Sequence, residues 1–187
     1  MFIPIAKPII GDLEKKYVLE VMESGIIAQG PVTRKLEEKF EEACEVKHAI
    51  AVSSGTTALI AALLAHDIGP GDEVITTPFS FMATATSIIF TGATPVFVDI
   101  EEDTYNIDAS QIESAITEKT KAILPVHLYG HPCDMDVIMD IAEKNNLVVI
   151  EDSAQALSAK YKNRPAGSFG TGCFSLYATK NITSGEG

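Results

Sequence analysis

Three short strings in this 187-residue chain place chemically capable side chains directly after apolar runs. The first is Ser53-Ser54-Gly55-Thr56-Thr57, which follows HAIAV. A strand, a turn of small residues and a helix start leave backbone N–H groups free, and the helix dipole and the hydroxyls add to an anion site. Ordinary N-capping by Ser or Thr accounts for the same string, and there is no Walker or dinucleotide glycine pattern. The second is Glu151-Asp152-Ser153-Ala154-Gln155, after LVVI. A carboxylate ending a buried strand needs a partner, because an unpaired buried charge is costly. It caps the next turn, holds a cationic ring nitrogen or binds a metal; metal is the weakest option, since the neighbouring strand ends offer little beyond His127. The third is Lys180, after CFSLYA and Thr179. Lysine is rarely hidden unless paired or reacted, and a desolvated amine is a nucleophile toward carbonyls. A snorkelling surface lysine is the plain alternative.

These residues need a scaffold that brings three strand ends together. Two amphipathic helices come first, over Asp12–Ser24 with Asp12 as cap, and over Pro31–Cys44 with Pro31 in the first turn. Between them, GIIAQG is either a bare connection or the border of a substrate pocket. After Lys47 the rhythm changes to βα alternation. Strands are predicted at HAIAV (48–52), EVITT (73–77), TPVFVDI (94–100), KAILPVHL (121–128), LVVIED (147–152) and CFSLYA (173–178). Helices are predicted at about 55–66, 81–91, 108–116 and 134–145, with Asp108 and Gln111 at capping-box spacing and Asp134 as another cap. Runs such as VVI and VFV are apolar on both faces. The expectation is an α/β fold of three layers, with a mostly parallel sheet covered on both sides and its ligand site beyond the strands' carboxyl ends. An anion cradle, a carboxylate and a buried lysine at one sheet edge form the set that pyridoxal phosphate (PLP) requires: a phosphate site, an acid for the ring nitrogen and an amine for the aldehyde. Phe81, early in the segment after EVITTP, is then a stacking face, and otherwise a core aromatic.

Composition narrows the alternatives. A 46% hydrophobic, 21% charged chain is globular, and 187 residues suffice for a core without staples. A net charge of −12 argues against a nucleic-acid-binding face. Cys44, Cys133 and Cys173 are odd in number and widely spaced, which reads as reduced thiols with no disulfide framework or metal site. The longest apolar run, Ala58–Ala65, is far short of a membrane span. The opening MFIPIAKPIIG has two prolines, a lysine and no leader pattern, so a cytoplasmic protein without membrane partners is expected.

The strings SSGTTAL, TTPFSFMATA, GATPVFVDI, VHLYGHPCDMD, EDSAQA and FSLYATKNITSGEG, with GIIAQGPVTRKLEEKF before them, resemble in order and spacing the DegT/DnrJ/EryC1/StrS family of sugar aminotransferases. The resemblance spans almost the whole chain. It implies the large domain of type I PLP-dependent transferases over residues 1–187. It also implies an amino transfer from an amino acid, glutamate, to a keto group on a nucleotide-linked sugar. Carried over residue by residue, Lys180 resembles the lysine that bonds the cofactor and moves the proton, and Asp152 the partner of the ring nitrogen. Gln155 would lie by the phenolic oxygen. Gly55 and Thr56 would offer N–H groups, and Ser175 its hydroxyl, to the phosphate, while Phe81 would stack on the ring. A dehydratase branch of the family carries histidine at the lysine position, and Lys180 argues against it.

Family members are about twice as long and are homodimers whose second subunit contributes to the phosphate pocket. The chain therefore reads as an N-terminal half whose small C-terminal domain is absent, with weak or no activity by itself. In the family a further strand, after GEG, lies between HAIAV and the lysine-bearing strand. Two other classes stay open on the residues alone: a non-covalent phosphate- or nucleotide-binding module, and an inactive assembly fragment. His127 and His131 are read as structural; Tyr129 and Tyr177 are left either way.

Overall fold

The structure, a computed structural model, describes residues 6–187. Met1–Ile5, part of the stretch read as lacking a leader, lie outside the described residues. Two compact units divide the chain, one ending at Ala51 and one running from Val52 to Gly187.

The first unit holds helices α1 (Asp12–Ser24) and α2 (Pro31–Cys44), joined by GIIAQG. The cap of α1 falls one residue before the expected Asp12. Gly11 is the extended residue at the boundary, and its N–H donates to the Glu14 carboxylate at 2.7 Å. Asp12 instead sits in the first turn, where its charge faces the positive end of the helix dipole. The helix closes on Gly25 at φ 70°, the left-handed stop that glycine accepts most readily. Pro31 occupies the first turn of α2 as expected. The apolar side of α1 exists, but Leu13, Val18, Leu19 and Met22 all stay exposed.

HAIAV does not form the expected strand. The Ala51 and Ala49 N–H groups donate to the side chains of Glu37 (3.0 Å) and Glu41 (3.3 Å) on α2, not to a sheet neighbour. Extended apolar sequence becomes a strand only where another strand takes its ladder bonds; here carboxylates take them.

The second unit is a three-layer α/β/α sandwich. Five strands, β1 (Glu73–Thr76), β2 (Thr94–Phe97), β3 (Thr120–Ile123), β4 (Val148–Asp152) and β7 (Thr171–Cys173), pair in the order β2-β1-β3-β4-β7, all parallel. The pleat sends alternate residues to opposite faces. Val74, Ala122 and Ile150 pack with α3 (Gly55–Ala65) and α4 (Ala83–Phe90). Ile75, Ile123 and Val149 pack against α5 (Ala109–Ile112) and α6 (Met135–Asn145). Both faces are thus covered, as the two-sided apolar runs require.

Several boundaries differ from expectation. Asp108 caps α5 through Ser110 N–H (3.0 Å) and also accepts from Gln111 Nε2 (2.5 Å). Asp134 makes no cap bond; its carboxylate accepts the Tyr161 hydroxyl at 2.6 Å. A hairpin not expected from sequence, β5 (Lys160–Tyr161) with β6 (Arg164–Pro165), turns on Lys162 and Asn163 at φ 45° and 71°, the left-handed pair that suits a two-residue hairpin. The last strand ends at Cys173, well before Ala178. Beyond it, Leu176 bonds to the tail instead of to the sheet: its N–H donates to Gly187 O (2.6 Å) and its carbonyl accepts from Ser184 (2.9 Å).

Candidate active site at the carboxyl ends of the strands

Asp152 ends β4 between two neighbouring segments. Its N–H donates to Pro125 O (2.9 Å), its carbonyl accepts from His127 N–H (3.1 Å), and the next residue, Ser153, donates to Cys173 O (2.8 Å). The backbone is held on both sides, so the direction of the side chain is set by the sheet. The carboxylate is buried. Thr84, in the first turn of α4, donates its hydroxyl to Oδ2 at 2.7 Å, and Ala154 N–H donates to Oδ1 at 3.2 Å. Burial pushes the Asp152 carboxyl above its ordinary value. The Thr84 hydroxyl, the Ala154 amide and the positive charge of Lys180 act against that rise and only partly offset it. A carboxylate desolvated this far and held by two donors is suited to a cationic partner.

Lys180 lies in a turn after Tyr177, with its N–H on Tyr177 O at 2.9 Å. It is half-buried, not hidden as the sequence suggested, because the chain has left the sheet seven residues earlier. It is still close enough for its charge to act on Asp152.

The SSGTT string forms the N-terminus of α3. Ser54 is the cap, and its Oγ accepts Thr57 N–H at 3.1 Å. The capping reading of the string is met: Ser54 caps the third amide of the turn, while the Gly55 and Thr56 amides have no hydrogen-bond partner among the described residues. Gly55 is required by a close approach. A Cβ there would lie 2.8 Å from Ser175 Cβ and 3.1 Å from Phe174 O. This contact sets Ser175 against the helix start; its hydroxyl donates to Gly187 O at 3.3 Å. Gly55→Ala is expected to cost about 1–3 kcal/mol of stability through overpacking, measured by urea unfolding.

Gln155 is oriented by the short turn over 128–130. Tyr129 N–H donates to Gln155 Oε1 at 2.8 Å, which leaves the Gln155 NH₂ as the free donor end. Tyr129 itself is left-handed at φ 52° and largely exposed. Phe81 is 71% exposed, so it is not a core aromatic. With Ser80, Thr84 and Phe97 it lines a depression at the end of β1. Thr84 thus connects the Phe81 wall to Asp152.

The other carboxylate of the pair, Glu151, points away into a fully satisfied network. His127 Nδ1 accepts Cys133 N–H (3.1 Å), so Nε2 carries the proton and donates to Glu151 Oε2 (3.0 Å). Gly167 N–H also reaches Oε2 (2.7 Å), while Phe169 and Gly170 N–H reach Oε1 (2.7 and 2.8 Å). Burial pushes the Glu151 carboxyl up, but His127 and these amides overcome it and hold it below its ordinary value of 4.5. The resulting stabilisation is present above pH 4.5 and is lost as the pH falls through the depressed folded value. Glu151 ties the loop that delivers β7, where Gly170 approaches Val149 O so closely that a Cβ would lie 2.1 Å away. Glu151→Ala is expected to cost about 3–5 kcal/mol by orphaning four donors, read by chemical denaturation at pH 7.

Residues 8–187 match the DegT/DnrJ/EryC1/StrS aminotransferase family. The chain belongs to that family. Among its members, the spore coat polysaccharide biosynthesis protein SpsC of Bacillus subtilis is 50% identical over 187 residues, covering 100% of this chain and 48% of SpsC. GDP-perosamine synthase of Caulobacter vibrioides is 48% identical, covering 99% of this chain and 50% of the synthase. The chain spans about half the length of the curated relatives it matches. The PLP form of Spr1654 from Streptococcus pneumoniae superposes with a TM-score of 0.95 at 38% identity, over 98% of this chain and 51% of that one. The expected type I architecture of PLP-dependent transferases is thereby borne out.

Within this DegT/DnrJ/EryC1/StrS chain, the structure links Asp152 to the Phe81 depression through Thr84, and Gly55 to Ser175 through packing, while Lys180 reaches Asp152 only through its charge, which pulls that carboxyl down against burial. Thr84 and Ser80 were not singled out from sequence. The available signal was a threonine three residues after Phe81 at the start of a helix, which only the fold connects to Asp152. Among the described residues there is no His, Cys, Asp and Glu cluster able to hold a metal, and no helix long and apolar enough to cross a membrane. The three cysteines are buried and form no disulfide among the described residues, and burial pushes the Cys173 thiol up to about 12.

Proposed function

We propose that this chain is the large-domain, cofactor-holding part of a PLP-dependent sugar aminotransferase. In this reading the enzyme moves an amino group from an amino acid, glutamate, to a keto group of a nucleotide-linked sugar. The observation that carries the reading is the buried Asp152 carboxylate at the sheet's carboxyl edge, hydrogen-bonded by Thr84 from the depression that Phe81 lines. The residues fit PLP: free amides at a helix start suit a phosphate, a desolvated carboxylate suits a protonated ring nitrogen, and an amine suits an aldehyde. The name GDP-perosamine synthase, borne by a relative 48% identical, supports a nucleotide-linked sugar as acceptor.

In this reading the Gly55 and Thr56 N–H groups and the Ser175 hydroxyl hold the phosphate. Phe81 covers one ring face, and Gln155 directs its NH₂ to the phenolic oxygen. Asp152 accepts the ring N–H and keeps that nitrogen cationic. PLP supplies an electron-poor ring that stabilises charge developing on the donor's α-carbon. Lys180 Nζ would be the amine that holds the cofactor's aldehyde end, and as a free amine it would move the proton at the donor's α-carbon, a transfer worth about 10²–10⁴-fold. The enzyme acts as a homodimer in the cytoplasm, on small molecules only.

The deciding experiment is reconstitution with PLP followed by borohydride and mass mapping, together with a transamination assay using glutamate and a keto-sugar nucleotide. The cofactor's mass on Lys180 and amine transfer by the full-length protein are expected. A full-length protein that takes up no PLP at Lys180 overturns the reading.

A further inference from the structure

Thr84 is 1% exposed, and its hydroxyl has a defined direction. Its single proton goes to Asp152 Oδ2 at 2.7 Å. Its oxygen lies 2.7 Å from Ser80 Oγ, so Ser80 is the donor in that bond. Ser80 and Thr84 both line the depression beside Phe81. A directed chain therefore runs from the rim of the depression through Thr84 to the buried carboxylate. Ala154 N–H holds the other oxygen at 3.2 Å. With both oxygens tethered, the carboxylate cannot rotate, and its remaining lone pairs keep one heading.

We propose that Thr84, set by Ser80, is a positioning residue that holds Asp152 ionised and aimed at a protonated ring nitrogen. The inference rests on the reading above for its ligand, but its structural half concerns only these three side chains. The charged and titratable groups around Asp152 are known. Lys180 follows β7, His127 follows β3, Glu151 precedes it on β4, and Cys173 ends β7. His127 spends its proton on Glu151, and Glu151 is fully engaged. From α4 the hydrogen bond to Asp152 comes from Thr84, a neutral hydroxyl that acts by hydrogen bonding and not by charge. Deleting it leaves a tightly desolvated acid with only one donor, which favours the neutral form.

Thr84→Val keeps the shape and removes the donor, Thr84→Ser keeps the donor, and Ser80→Ala removes only the group that orients it. The first readout uses the cofactor-free full-length protein. The carboxyl ¹³C resonance of Asp152, assigned by its loss in Asp152→Asn, is followed against pH. Its midpoint is expected to move upward in Thr84→Val, to stay near wild type in Thr84→Ser, and to move by a smaller step in Ser80→Ala. The second readout is PLP affinity at pH 7, expected to weaken about tenfold in Thr84→Val, the loss of one hydrogen bond to a charged group, and within about threefold of wild type in Thr84→Ser. An Asp152 midpoint unchanged in Thr84→Val overturns the inference, as does a Thr84→Ser protein that shifts as far as Thr84→Val. A wild-type protein that binds no PLP overturns the proposed function instead, while the carboxyl titration still decides the role of Thr84.

Discussion

The Lys180→Ala protein is expected to lose about 10²–10⁴-fold or more in transamination, with its fold intact. That range is what a placed proton carrier is worth alone, and loss of the covalent hold on the cofactor adds to it. Lys180 sits half-buried in a turn, and its backbone bond to Tyr177 O does not depend on the side chain. The melting temperature should therefore change little, which separates a chemical role from a structural one. A second signature follows from charge. Lys180 draws the Asp152 carboxyl down against burial, so its removal should let that carboxyl titrate at higher pH still. Wild-type turnover in Lys180→Ala, or a borohydride-stable adduct on another lysine, would be incompatible with the assignment.

Asp152→Asn is expected to cut activity by about 10²–10³-fold while making the cofactor-free protein more stable at pH 7. The two effects have one cause. Burial raises the folded-state value of Asp152 above its ordinary 3.8. Stability linked to this group is fully present below pH 3.8 and is lost as the pH rises through the raised folded value, and above that value the ionised side chain opposes folding. Asparagine removes the charge, keeps the shape, and leaves Thr84 able to accept from the new NH₂. Thermal melts of wild type and variant should therefore converge in acid and separate toward neutral pH, with the variant higher. A variant that melts lower than wild type at pH 7 would mean that Asp152 holds the fold together and is not poised for a ligand. The carboxylate next to it behaves in the opposite sense: Glu151 is held below its ordinary value and stabilises the fold at neutral pH.

The contrast between these neighbours shows where sequence reading reaches its limit. Both end an apolar strand, and the string EDSAQ puts them side by side. The alternation of the pleat guarantees that they leave the strand on different sides, but not what waits there. Glu151 meets His127 and three loop amides that come from residues 16 to 24 positions away, and Asp152 meets Thr84, 68 positions away. HAIAV illustrates the same limit for secondary structure. Its composition favours a strand, but strand formation depends on a partner, and two glutamates of α2 take its amides instead.

What the sequence by itself determined is the α/β rhythm, the parallel sheet covered on both faces, and the family carried by SSGTTAL, EDSAQA and FSLYATKN. Those features depend on periodicity, turn residues and local order, which the chain writes along its own length. Tertiary structure alone decided that Lys180 is half-buried, that Thr84 donates to Asp152, and that Glu151 ties the loop before the last strand. Burial, hydrogen-bond direction and charge proximity are properties of residues brought together through space, and a buried carboxylate takes its chemistry from whichever donors the fold delivers to it.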